Sequence, residues 1–135
     1  MPHFDADLGQ LARIRNFVTE TAATLGVRAA AFDDLRLAVD EAVTNILVHG
    51  YGGVGGIDID ITARNGDLVI RLLDQATPFD PAIAAPETMA PPETHTEAGG
   101  FGLYLMSKAM DEIEYRRLDS QNELTLVKCN VIEGN

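Results

Sequence analysis

Residues 40–51 read DEAVTNILVHGY, and this stretch combines a helical pattern with an unusual polar row. Its apolar residues follow helical spacing, which predicts a helix over about 33–49. Glu41, Asn45 and His49 recur every four residues, so one helix face carries a carboxylate, an amide and an imidazole. Asparagine is a mediocre helix former, so its mid-helix position indicates a task for the side chain. The row is either a solvated face or part of a site, with His49 expected to cap the helix end.

On both sides of this helix the chain alternates between helical and strand patterns. The spacing predicts further helices over 8–25 and 103–110, and strands over 57–63, 67–74, 112–117 and 123–131, with a turn near 120–122. Asn65-Gly66 joins the first two strands as a two-residue hairpin signal. Since hairpins dominate, we expect an α+β two-layer sandwich with a mixed, mostly antiparallel sheet and helices on one face. Residues 1–135 are predicted to form a single domain.

Residues 75–98 differ in character, because they hold five of the six prolines of the chain. A loop of this length inside a compact domain is typical of a functional lid or a disordered segment. It leads into GGFG at 99–102 and then into the apolar helical pattern. Glycines directly before a helix let the backbone approach a ligand, and the free N–H groups of the first turn favour an anion. This arrangement predicts a phosphate cradle.

Composition excludes some classes of function. The chain carries 21 acidic and 10 basic residues, a net charge of −11, which disfavours direct nucleic-acid binding. No apolar run approaches the roughly 20 residues that span a bilayer, so no membrane attachment is expected. The single cysteine, Cys129, is predicted to be a buried strand residue and fits a reducing, cytoplasmic setting. His3 is assigned to an N-terminal tail.

Three pieces in this order resemble the N, G1 and G2 boxes of the GHKL ATP-binding superfamily. They are ExxxN at Glu41 and Asn45, Asp74 at a strand end before PFDP, and GGFG at 99–102. Together with MDEIEY and NELTLVK, the boxes resemble the small anti-sigma factor serine/threonine kinases of partner-switching systems. The resemblance extends from about Leu8 to Lys128. It implies a histidine-kinase-like, Bergerat-type ATP-binding fold with an ATP lid at about 80–98.

The resemblance also implies a role for each box. Asn45 would bind Mg²⁺, Glu41 would act as general base toward a substrate serine, and Asp74 would accept a hydrogen bond from the adenine amino group. Further contacts to ATP are implied for Ala76, Gly99, Gly100, Phe101, Gly102, Leu103 and Thr125, the last through water at the adenine.

The implied function is an ATP- and Mg²⁺-dependent protein serine/threonine kinase. Its partners would be a STAS-type anti-anti-sigma protein, which it phosphorylates, and a sigma factor, which it sequesters. The oligomeric state is left open; if a homodimer forms, helix 8–25 and its neighbouring strand are the expected interface.

Two alternatives stay open. One is a non-catalytic switch that binds ATP or ADP and a partner protein, and the other is the ATP-binding half of a larger signalling protein. Two departures from the family pattern bear on the choice. Ala76 stands where a glycine is frequent, and Glu97-Ala98 precede the G2 glycines where some relatives carry a basic residue.

Overall fold

One antiparallel sheet of five strands organises the described residues, 2–76 and 100–133, of a computed structural model in which the side chains of residues 100–104 are not described. The strands are β1 (His3–Ala6), β2 (Gly55–Arg64), β3 (Asp67–Asp74), β4 (Glu112–Leu118) and β5 (Gln121–Lys128). Their spatial order is β1-β2-β3-β5-β4, and every pairing is antiparallel. The predicted parallel component is therefore absent from the described strands.

Within residues 2–76 and 100–133, three α-helices accompany the sheet: α1 (Leu11–Thr24), α2 (Phe32–Thr44) and α3 (Gly100–Ala109). Short 3₁₀ turns, Leu8–Gln10 and Ala29–Ala31, precede the first two. A π-helical segment, Asn45–Tyr51, continues α2 beyond the predicted end near residue 49. It stops at Gly52 and Gly53, whose φ angles of 78° and 145° suit glycine.

Side-chain alternation along the strands separates a core face from an open face. Ile59 of β2, Leu72 of β3 and Leu126 of β5 are fully buried and pack with helix residues such as Leu35 and Met106. The intervening strand residues lie on the opposite face, where a charged ladder crosses the sheet. Its members are Asp60, Arg71, Glu123 and Arg116, with the Arg116 Nη2–Glu123 Oε1 distance at 2.9 Å. The helices thus cover one face, as predicted for a two-layer α+β sandwich.

The β2–β3 hairpin forms where the sequence predicts it. Asn65 and Gly66 have φ angles of 53° and 88°, both positive, as a tight two-residue turn of this kind requires. Arg64 pairs with Asp67 directly across the turn. The second hairpin turns at Asp119 and Ser120, slightly earlier than predicted.

Strand β1 was missed, because four residues are too few to show a two-residue period. His3 belongs to this strand and not to a tail. It pairs with Asp58, and its ring nitrogens lie 2.6 Å from Asp58 Oδ1 and 3.0 Å from Asp5 Oδ1. Phe4, on the other face, meets Phe17 of α1 edge to face with ring centroids 5.5 Å apart. Tertiary contacts define this strand.

The end of β5 also differs from the prediction. The strand stops at Lys128, so Cys129 is a half-buried residue after the strand and not a buried strand residue. The chain leaves the ladder because Asn130 adopts a φ of 55° and the Cys129 amide donates to Asp111 Oδ2. Desolvation and then nearby carboxylates, first that of Asp67, raise the pKa of the Cys129 thiol. The thiol is held in its protonated, unreactive form.

The two faces of β5 give a direct test of this register. Leu126→Ala is expected to lower the free energy of unfolding by about 2–5 kcal/mol, since it empties a fully buried position. Thr125→Ala, one residue away on the open face, should cost less than about 1 kcal/mol. Urea denaturation of both variants measures the difference. Equal losses would contradict the register.

Candidate functional site

Asn45 is the buried member of the polar row on α2. It begins the π-helical segment, its side chain is 7% exposed, and its Nδ2 has no hydrogen-bond partner among the described residues. Leaving this buried N–H donor unpaired costs about 1–3 kcal/mol, so a ligand that brings an acceptor oxygen to it recovers that free energy. π-helical segments are rare and occur frequently at functional sites. Asn45 therefore has the character of a binding residue.

The donor set around Asn45 suits a metal that is shared with phosphates. No cluster of three or more His, Cys, Asp or Glu side chains that could hold a metal occurs in the part of the chain that the structure describes. Mg²⁺ commonly takes one or two protein oxygens and completes its shell with water and substrate phosphates. The amide oxygen of Asn45 is a hard ligand of the right type. The described residues thus fit Mg²⁺ brought with a nucleotide.

Glu41 lies one turn before Asn45 and is partly exposed. Desolvation, and then the charge of neighbouring Asp40, raise the pKa of its carboxyl group. A carboxylate whose pKa is raised is a stronger base, as general-base catalysis requires. Asp40 itself accepts a 2.8 Å hydrogen bond from Arg15 Nη1, which ties α1 to α2 beside the row.

His49 does not share the environment of the other two residues. It is exposed in the last turn of the π-helical segment. The wider turn of a π helix alters the four-residue alignment that an α helix would keep. The structure therefore brings Glu41 and Asn45 together and leaves His49 at the helix end, as expected for it.

Asp74 closes β3 as a buried carboxylate, 4% exposed. Its Oδ1 accepts hydrogen bonds from the Ala76 amide at 2.9 Å and from Asn122 Nδ2 at 2.8 Å. Burial raises the pKa of Asp74, while these two bonds and the charge of Arg117 oppose the rise. The carboxyl group is thus buried and held in place by hydrogen bonds.

Asn122 is the site residue that sequence reasoning missed. It is 5% exposed and pairs directly with Asp74 across the β3–β5 ladder. Its Oδ1 accepts from Tyr115 Oη at 2.6 Å and from Arg117 Nη1 at 3.0 Å. The prediction assigned residue 122 to a turn, and no local pattern reveals that β5 lies beside β3. Only the strand order, which places β5 beside β3, would have identified Asn122 as a neighbour of Asp74.

The structure does not place Thr125 beside Asp74. It lies three residues beyond Asn122, so the two-residue alternation points it to the open face, where it pairs with Arg71 and Glu114. The register thus separates Thr125 from the buried carboxylate, and Asn122 contacts that carboxylate directly.

Ala76, the first departure from the family pattern, packs directly against Gly50. A Cβ added at Gly50 would lie 2.7 Å from the Ala76 Cβ, so the contact has room for only one methyl group. Tyr51 strengthens the same junction, because its hydroxyl accepts from the Gln75 amide and donates to the Gly56 carbonyl, each at 2.8 Å. The segment that carries Asn45 is therefore packed onto the end of β3.

The G2 residues are described only in part. Gly100, Phe101, Gly102 and Leu103 form the first turn of α3, whose backbone N–H groups lack helical partners. A helix start of this kind can receive an anion. Helix α3 packs against α2. Gly99 and the predicted lid at about 80–98 lie outside the described residues.

Comparison with known proteins identifies the family. Residues 4–128 match the histidine kinase-like ATPase domain. The chain belongs to this family. It is 34% identical over 109 residues to serine-protein kinase RsbW of Bacillus pumilus, covering 75% of this chain and 67% of that relative. It is 30% identical over 102 residues to the anti-sigma F factor of Clostridium acetobutylicum, covering 75% and 68%.

Solved structures agree on the fold. The catalytic domain of histidine kinase ThkA superposes with a TM-score of 0.60 at 14% identity, over 96% of this chain and 97% of that one. The family and fold predicted from the sequence are confirmed. Among the described helices none combines the length and apolarity needed to cross a membrane. The homodimer interface stays a prediction.

The Gly50–Ala76 contact predicts a coupled pair of mutations. Gly50→Ala should lower the free energy of unfolding by about 1–3 kcal/mol through overpacking. In an Ala76→Gly background the same change should cost less, because the opposing methyl group is gone. Thermal or urea unfolding of the four proteins gives the coupling energy. Additive effects would show that the two positions do not touch.

Proposed function

We propose that this chain is an ATP-dependent protein serine/threonine kinase of the anti-sigma factor type. It phosphorylates a STAS-type anti-anti-sigma protein and sequesters a sigma factor. One observation carries the proposal: buried Asn45, whose Nδ2 has no hydrogen-bond partner among the described residues, lies one helical turn from Glu41, whose pKa is raised. The relatives named serine-protein kinase RsbW and anti-sigma F factor support both activities.

ATP is bound, in this proposal, between the end of β3 and the start of α3. The adenine amino group donates to Asp74, whose Oδ2 accepts no hydrogen bond from the described residues. Ala76 packs beside it, and the phosphates lie at the first turn of α3, formed by residues 100–103, with Gly99 before it. Asn45 would hold Mg²⁺, which would neutralise part of the phosphate charge.

The chemistry then requires little beyond positioning. The hydroxyl oxygen of the substrate serine attacks the γ-phosphorus, and Glu41 takes the proton of that hydroxyl. The bond between the γ-phosphorus and its bridging oxygen breaks, and ADP leaves with that electron pair. Because Glu41 and Asn45 share one helix face, the base and the metal ligand stay next to each other.

The second departure from the family pattern, before the G2 glycines, favours a second candidate function. Glu97-Ala98 supply no basic residue before the G2 glycines, which removes one source of charge stabilisation during transfer. A switch that binds ATP or ADP and a partner, without transfer, needs no such stabilisation. An ATP-binding half of a larger signalling protein would instead depend on another chain for chemistry.

Nucleotide binding tests Asp74 and Asn45 separately. Asp74→Asn should weaken ATP binding by about 10- to 100-fold, since it removes a charged acceptor from the amino group. Asn45→Ala should remove most of the gain in affinity that Mg²⁺ gives, while leaving metal-free binding largely intact. Isothermal titration calorimetry with and without Mg²⁺ measures both, with Thr125→Ala as the matched control. Unchanged ATP affinity in Asp74→Asn would refute the adenine assignment.

Phosphoryl transfer tests Glu41. Glu41→Gln should slow transfer of labelled phosphate to a STAS partner by about 10²- to 10⁴-fold and leave ATP affinity unchanged. In the wild type, transfer should fall as acid protonates Glu41, at a higher pH than an ordinary glutamate, because burial raises its pKa.

The control for that pH dependence is Asp40→Asn. It removes the second cause of the raised pKa, so the acid limb should move slightly to lower pH. Tight ATP binding by the wild type with no transfer to any STAS partner would instead favour the non-catalytic switch.

A further inference from the structure

The hydrogen bonds at the end of β3 have a direction fixed by Arg117. A guanidinium only donates, so the end of the Asn122 amide that faces Arg117 Nη1 must be the oxygen. Asn122 Nδ2 then faces Asp74 Oδ1 at 2.8 Å and the Ala76 carbonyl at 3.2 Å. Arg117 Nη1 also donates to that carbonyl at 2.9 Å, which closes the network.

This direction determines what Asp74 can offer a ligand. Oδ1 already accepts from two N–H groups, those of Asn122 and Ala76, so it cannot carry a proton. Any proton on Asp74 must therefore sit on Oδ2. As a carboxylate, Asp74 presents Oδ2 as an acceptor for an amino group. Once protonated, it presents an O–H donor, which suits a carbonyl oxygen instead.

We propose that Asn122 is a specificity-determining positioning residue, which holds Asp74 as an acceptor for a purine 6-amino group and so excludes 6-oxo purines. The inference rests on the proposed ATP function. Asn122 lies outside the three sequence boxes from which that function was inferred. Adenine carries an amino group at position 6, whereas hypoxanthine and guanine carry a carbonyl, so the protonation state of Oδ2 discriminates between them.

Asn122 is the main group that opposes the rise in the pKa of Asp74. Burial raises the pKa of Asp74, and the Asn122 bond is the first of the interactions that oppose it, before the Ala76 amide and the Arg117 charge. The other titratable groups that share a small cavity with Asp74 are His3 of β1, Tyr51 of the π-helical segment and Asp58 of β2. The Asp58 carboxylate lies 2.6 Å from His3 Nδ1 and, being an acceptor, cannot replace the donor of a lost Asn122.

The test compares ATP with inosine triphosphate (ITP), which carries a 6-carbonyl and an N1–H where ATP carries a 6-amino group and an unprotonated N1. Wild type should prefer ATP from mildly acid to mildly alkaline pH. In Asn122→Leu, a change of similar shape without a donor, ATP affinity at neutral pH should fall about tenfold, the loss expected for a charged hydrogen bond. The preference for ATP over ITP should narrow in this variant as falling pH protonates Asp74, at a higher pH than in wild type, and should recover as rising pH removes the proton. Thr125→Val should behave as wild type.

A second measurement does not depend on nucleotide. The ¹³C resonance of the Asp74 carboxyl group in the free protein should titrate with a higher midpoint in Asn122→Leu than in wild type. If that variant does not fold, Arg117→Met should raise the midpoint in the same direction, since it removes both a charge and the group that orients Asn122. An unchanged midpoint in the folded variant would overturn the proposal.

Different results would overturn the proposed function and the role of Asn122. A wild type that binds neither ATP nor ITP would overturn the proposed function. A wild type that prefers ATP, beside an Asn122→Leu variant with the same ATP/ITP ratio at every pH, would overturn only the role of Asn122.

Discussion

The buried carboxylate of Asp74, held by Asn122, is the constraint on which the arrangement of the site depends. A carboxylate in an apolar setting is costly unless it is hydrogen-bonded. Satisfying it requires β5 beside β3 and requires Arg117 of β4 to orient the Asn122 amide. The antiparallel order β3-β5-β4 is therefore what permits a charged group at the end of a core strand. The same bonds leave one oxygen for a ligand.

A second junction joins this carboxylate to the helix that carries Glu41 and Asn45. The π-helical segment after α2 ends against β3, where Gly50 receives the methyl group of Ala76 and Tyr51 binds the adjacent backbone. The alanine that departs from the family pattern is thus accommodated by packing. Since core contacts tolerate little change in volume, this contact fixes the spacing between Asn45 and Asp74.

Long periodic elements were predictable from the sequence, and so were the family and the layer architecture. Short strands and features that depend on tertiary contacts were not predictable from the sequence. Strand β1 has too few residues to show a period, and Cys129 leaves the ladder because of a left-handed Asn130. The pairing of Asn122 with Asp74 depends on strand order, which no local pattern encodes. The position of Thr125 on the open face was not predictable for a related reason, because motif matching does not report which face of the sheet a strand residue occupies.

A structure of the protein with Mg²⁺ and a non-hydrolysable ATP analogue tests the central claim most directly. We predict that the adenine amino nitrogen lies within hydrogen-bond distance of Asp74 Oδ2 and that Asn45 Oδ1 lies about 2.1 Å from Mg²⁺. The γ-phosphate should sit on the side of α2 that carries Glu41. An adenine bound away from Asp74, or a metal that does not contact Asn45, would contradict the account.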